Sequence, residues 1–244
     1  MKNFDLFVLP FVFGVLFCVA VLGYKYTRWL VALTKEDKKR FLKGLFSFKL
    51  FSAARESFME SLLHRKIFKV NVVLGLMHMS LAFGWFLLIV IGSVESKLVS
   101  KHTLNNIWEP VFLRYFEHNL HDKPFASVFS FVMDALLLLV LLAVVFAAIK
   151  RTVSLMFGMK RTTRLRMFDS VAMKALWLIF PMRLIAESLT AAIYTNGSFL
   201  TNTVGAFFAY TLPVHYLEYT AWWGYSIVLG AFFIAVPFSR YMHI

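Results

Sequence analysis

The sequence predicts an all-α integral membrane protein, a five-helix transmembrane bundle with a cytoplasmic amphipathic segment. Three observations predict it. Apolar residues make up 60% of the 244 positions, 28 of them Phe, against about 45–50% in soluble domains. A globule of this length cannot hide that excess, because its folded surface grows with it. The apolar residues also gather into five runs of roughly the 20 residues that cross a bilayer. Charge then falls between the runs: 26 Lys and Arg against 13 Asp and Glu give a net +13. Charge in that position sets topology and attracts anionic lipid headgroups, and it argues for a lipid bilayer partner and no nucleic acid.

The elements follow in chain order, in one domain covering 1–244. The first span is about 6–28, with Tyr26 and Trp29 as interfacial aromatics. It is too long for a signal-peptide core and lacks an Ala-x-Ala cleavage pattern, so it reads as a retained span. Cys18 lies inside it as a small core hydrophobe. A single cysteine excludes an intramolecular disulfide or a Cys-based iron–sulfur site within residues 1–244. The segment 29–68 mixes basic residues with Phe41, Leu45, Phe46, Phe48, Leu50 and Phe51, the pattern of one or two helices lying on a membrane surface. The second span is about 69–94, ended by Ser93, Glu95 and Ser96, and a polar loop follows to about 124. The third span is about 125–149 and the fourth about 169–194. The stretch 198–216 is apolar but short. It reads as a re-entrant or surface helix, with a sixth span as the alternative. The last span is about 218–242.

Basic residues set the orientation. The stretch from Lys25 to Lys69 holds 12 Lys and Arg and that from Lys150 to Arg166 holds 6, whereas the 95–124 loop holds 4, balanced by Glu95, Glu109, Glu117 and Asp122. The first and third connections are therefore inside. Five spans then put the N-terminus outside and the C-terminus in the cytoplasm, in agreement with Arg240 at the far end of the last span.

Polar groups within spans are costly and mark functional sites. His78 sits in Gly75-Leu76-Met77-His78-Met79-Ser80-Leu81-Ala82-Phe83-Gly84, whose small residues let a bulky object approach. His243 ends the last span in Pro237-Phe238-Ser239-Arg240-Tyr241-Met242-His243. Two histidines on different helices at similar depth can ligate one haem iron; either alone can equally hydrogen-bond a neighbouring helix. Arg183 and Glu187 are four apart on one face. They form either a structural ion pair or the polar wall of a quinone site, with Glu187 as proton acceptor. His215 and Tyr225 are further candidates for such a pocket. Asp134 reads as a buried hydrogen-bond partner and His64 as a surface residue. His102, His118 and His121 lack a zinc-type spacing. No phosphate loop, HExxH or Gly-x-Ser-x-Gly elbow is present.

The ending Gly230 to His243, with Pro-Phe-Ser-Arg-Tyr-Met-His, resembles the final helix of the nitrate reductase gamma-subunit family. That family includes the membrane cytochrome b subunits of heterodisulfide reductase and of the sulfite-reduction-linked Dsr complex. Met77-His78-Met79-Ser80-Leu81-Ala82-Phe83-Gly84-Trp85 resembles the haem-ligating second helix of the same family. The resemblance spans nearly the whole chain, with two specific motifs. It implies one haem b nearer the cytoplasm, with His78 and His243 as ligands of the haem iron. The positions that ligate an outer haem in two-haem members fall here on Leu88 and Tyr225, neither of them a haem ligand, so the resemblance implies that the second haem is missing. It further implies electron transport in a respiratory chain of the prokaryotic inner membrane. Electrons would pass between a quinone, menaquinone or another, and iron–sulfur or Cys-rich domains, in the same chain beyond Ile244 or in a partner subunit. The rival expectations are a polytopic transporter, which calls for broken helices and an internal repeat, and a non-redox membrane anchor for a soluble partner.

Overall fold

The computed structural model describes residues 4–99, 106–123, 125–158 and 166–239, with only the backbone of His121. Every regular element among the described residues is helical. Five stretches are long and apolar enough to cross a membrane: Leu6–Ala32, Val72–Val99, Ala126–Met156, Met167–Tyr194 and Val214–Phe238. The chain is an all-α membrane bundle.

The spans are built on helices α1 (Leu9–Ala32), α5 (Val72–Val99), α7 (Ala126–Met156), α8 (Met167–Tyr194) and α10 (Val214–Ala235). A 27-residue stretch such as Leu6–Ala32 is about 40 Å long at 1.5 Å per residue, so its ends project past a hydrocarbon layer of about 30 Å. α10 is the hub, packed against α8 on one side and α1 on the other, while α5 pairs with α7. Lipid gives no hydrophobic drive between helices, so close backbone approach through small residues has to supply it. At the α1–α10 crossing, a Cβ added to Gly14 would lie 2.7 Å from the Gly230 Cα. The central core runs from Phe7, Phe112 and Trp222 through Tyr225 and Phe180 to Leu137 and Val140.

One end of the bundle is basic. Helices α2 (Lys35–Leu45), α3 (Lys49–Ser57) and α4 (Arg65–Val70) lie there, with a π turn at Phe58–Leu62. Thr34 caps α2, its Oγ1 accepting the Asp37 N–H at 3.2 Å, which satisfies an orphan donor of the first turn. Phe48 is 97% and Phe46 87% exposed beside the lysines, as suits helices that press aromatics into a membrane surface.

The opposite end differs from the sequence expectation. The second span does not stop at Ser93: α5 runs to Val99, and Glu95 is buried. Part of the expected polar loop folds inward as α6 (Glu109–Phe116), burying Phe112, Leu113 and Arg114. α9 (Phe199–Thr211) has 13 residues, about 20 Å, too short for a sixth span. It docks on α8 through Gly205, where a Cβ would meet the Ser188 carbonyl oxygen at 2.6 Å. The last helix begins at Val214, earlier than expected, and gives way at Val236 to a 3-10 turn containing Pro237. Proline has no N–H to continue the α pattern. The expected continuation to Met242, with Arg240 and His243, lies outside the described residues.

Candidate functional site

α8 carries Arg183 and Glu187 one turn apart, and both are buried. The Arg183 Nε donates to Glu187 Oε1 at 2.9 Å, and a terminal guanidinium nitrogen reaches the same oxygen at 2.9 Å. Tyr225, buried on α10, and Glu95, buried on α5, lie within electrostatic reach of Arg183. Glu95 in turn pairs with Arg114 of α6 at 2.9 Å. Glu187 and Glu95 are thus each matched by a guanidinium, Arg183 and Arg114. That balance is what makes ionised groups tolerable away from water.

Most of the surrounding polar groups are matched too, with the buried Ser188 Oγ and Asn196 Oδ1 as exceptions. Arg114 also donates to Ser130 Oγ at 2.9 Å and to the Asn196 carbonyl at 3.0 Å, and Asn196 Nδ2 returns a bond to the Arg114 carbonyl at 2.9 Å. On the α8–α10 seam, Thr190 Oγ1 donates to Glu218 at 2.6 Å and accepts from Trp222 Nε1 at 2.9 Å. Asp134 Oδ2 accepts the backbone N–H groups of Leu200 and Thr201 at 2.9 and 3.0 Å, and the Thr201 hydroxyl donates to the same carboxylate at 3.1 Å. A charge of this sign suits the N-terminus of α9.

Inward of the cluster stands an aromatic layer. Trp85 of α5 meets Phe180 of α8 at 5.7 Å between centroids and Phe232 of α10 at 5.1 Å. α5 and α10 meet here through side chains, and α10 packs more extensively on α8 and α1. His78 lies seven residues before Trp85, about 10 Å along α5 toward the basic end. Its half-buried ring stacks on that of His64, with centroids 5.5 Å apart and planes 19° apart. His64 is therefore not a free surface residue: the π turn and its own left-handed backbone (φ 51°) turn it back onto α5.

The structure brings together Arg183, Glu187 and Tyr225. It separates His215, which is exposed in the first turn of α10, ten residues or about 15 Å from Tyr225. The small residues around His78 are already filled: a Cβ on Gly75 would strike the Phe68 ring and one on Gly84 the Val140 side chain. His243 and His102 lie outside the described residues, and of His121 only the backbone is described. His118 stacks on Tyr194 at 3.7 Å. Among the described residues no group of three or more His, Cys, Asp or Glu is placed to hold a metal ion. As one of two ligands to a haem, His78 fits in kind: it is a half-buried imidazole on a membrane-spanning helix, with its ring stacked on that of His64. Sequence reasoning missed Glu95, Arg114 and Glu218. Ser93, Glu95 and Ser96 read as a helix end, and the Arg114 partner lies 19 residues further on.

These features define a class: a polytopic helical membrane protein with a neutralised charge cluster in its core and a histidine pair toward its basic end. The chain matches no protein-family model, no curated protein and no solved structure.

Proposed function

We propose that the chain is a membrane b-type cytochrome domain of the nitrate reductase gamma-subunit type. It passes electrons between a membrane quinone and cytoplasmic iron–sulfur centres carried by the same chain or a partner subunit. The observation that carries the reading is the layering of the core. An imidazole lies toward the basic end, an aromatic layer follows, and a buried carboxylate–guanidinium–phenol group lies beyond it. His78 and His243 would hold one haem b, which supplies reversible one-electron chemistry when bound. The protein's own part is protonic. Glu187 takes a proton from a quinol hydroxyl, Arg183 keeps that carboxylate in place, and Tyr225 closes the opposite wall. The basic end faces the cytoplasm of a prokaryotic inner membrane, the orientation its lysines and arginines favour.

A reduced-minus-oxidised absorption spectrum of the haem-replete protein tests the reading. The expected result is a low-spin b-type band that is lost in both His78→Ala and His243→Ala. A full bis-histidine spectrum in either variant refutes the ligand pair. No band at all leaves the polytopic transporter and the non-redox membrane anchor.

A further inference from the structure

Two adjoining grooves open at the basic end between α1, the start of α8 and the turn after α10. One, of about 670 Å³, is lined by Lys25, Trp29, Arg166, Phe168 and Phe238 among others. Its neighbour, of about 630 Å³, shares Lys25, Trp29 and Phe238 and adds Tyr24 and Arg28. Among the described residues no carboxylate lines either groove. Asp169, one turn into α8, is buried and accepts the Arg166 backbone N–H at 3.2 Å.

The cations are set among aromatics. The Lys25 ammonium donates to the Pro237 carbonyl and lies 4.8 Å above the Phe238 ring, which leaves two of its three donor hydrogens for another acceptor. The Arg28 guanidinium lies 5.8 Å over the Tyr24 ring, with its side chain exposed. Stacked arginines keep their edges free for phosphate oxygens.

We infer that this double groove is a binding site for one anionic phospholipid, its phosphate held by Lys25, Arg28 and Arg166 and its acyl chains laid against Trp29, Phe168 and Phe238. The site goes beyond the diffuse attraction of basic loops for anionic membranes, and it stands independently of the redox reading. A free phosphate would use the cations and leave the apolar walls without a role. A neutral lipid would offer Lys25 and Arg28 no counter-charge. The position fits as well: Leu22–Trp29 occupy the last turns of α1, where a span this long emerges at headgroup level.

Native mass spectrometry of the whole chain released from detergent tests this, with added dioleoylphosphatidylglycerol or dioleoylglycerol. The expected result is selective retention of the phosphatidylglycerol, falling about fivefold for each charge removed. Lys25→Gln also loses the tie to Pro237, so the decisive variant is the double change Arg28→Gln and Arg166→Gln, which leaves that tie intact. Removing two charges elsewhere, by Lys35→Gln and Lys38→Gln on α2, should leave retention unchanged. Equal retention of the two lipids overturns the proposal, as does an equal loss in the α2 control. Displacement of the lipid by millimolar inorganic phosphate assigns the groove to free phosphate and overturns it too.

Discussion

Replacing Glu95 by Leu strands a charge. Arg114 is left facing two neutral acceptors, Ser130 Oγ and the Asn196 carbonyl. The ion pair is 2.9 Å long, with side-chain exposures of 8% for Arg114 and 2% for Glu95. Water therefore cannot replace the lost partner. Removing one member of a buried pair costs about 3–5 kcal/mol. Arg114→Met should cost a similar amount, because it strands Glu95 near Glu187, a second carboxylate, with Arg183 as the remaining cation within reach. The two changes together restore neutrality. Their combined cost should stay near that of one single change, a coupling of about 3 kcal/mol. The assay is reversible SDS titration in mixed micelles, followed by tryptophan fluorescence. Additivity within about 0.5 kcal/mol would refute the reasoning, as would a Glu95→Leu variant no less stable than an exposed-site change.

Two other expectations concern the same end of the bundle. Asp134→Ala removes the charged acceptor for the first N–H groups of α9; it should cost about 1.5–3 kcal/mol and raise amide exchange at Leu200 and Thr201 before the rest of the chain. Burial, the charge of Asp5 and the hydrogen bond to it push the Tyr115 phenol above its usual value. The folded state then holds that proton more tightly than the unfolded chain. Stability from this source is complete below the ordinary phenol pKa of about 10 and declines as pH rises beyond it. Tyr115→Phe should flatten the alkaline limb of a stability–pH curve, and an unchanged limb would count against the contact.

How much was legible in the sequence turns on where each residue's partner lies. Span number follows from composition, because lipid demands continuous apolar helix whatever the tertiary packing. Arg183 and Glu187 were legible as a pair because helical geometry alone places residues four apart on one face. Asp134 was legible as buried and polar, yet its partner Thr201 sits 67 residues away and had no local signature. His64 was misread because its position depends on a π turn and a left-handed backbone that no residue preference signals. His215 was misplaced because α10 begins at Val214, which puts it in the exposed first turn, about 15 Å along the helix from Tyr225.

Glu95 shows why the ends of spans are the hardest to read. Local sequence treats a carboxylate after Ser93 as an exit into water, and for an isolated helix that is sound. Here α6 folds back and delivers Arg114, so the same carboxylate becomes an interior group and α5 continues to Val99. The helix end moved because its counter-ion arrived from a segment that reads as a polar loop. In such a bundle the boundary of a span belongs jointly to two segments. Removing Arg114 should therefore disturb the end of α5 as well as the ion pair, and amide exchange across Glu95 to Val99 would register it.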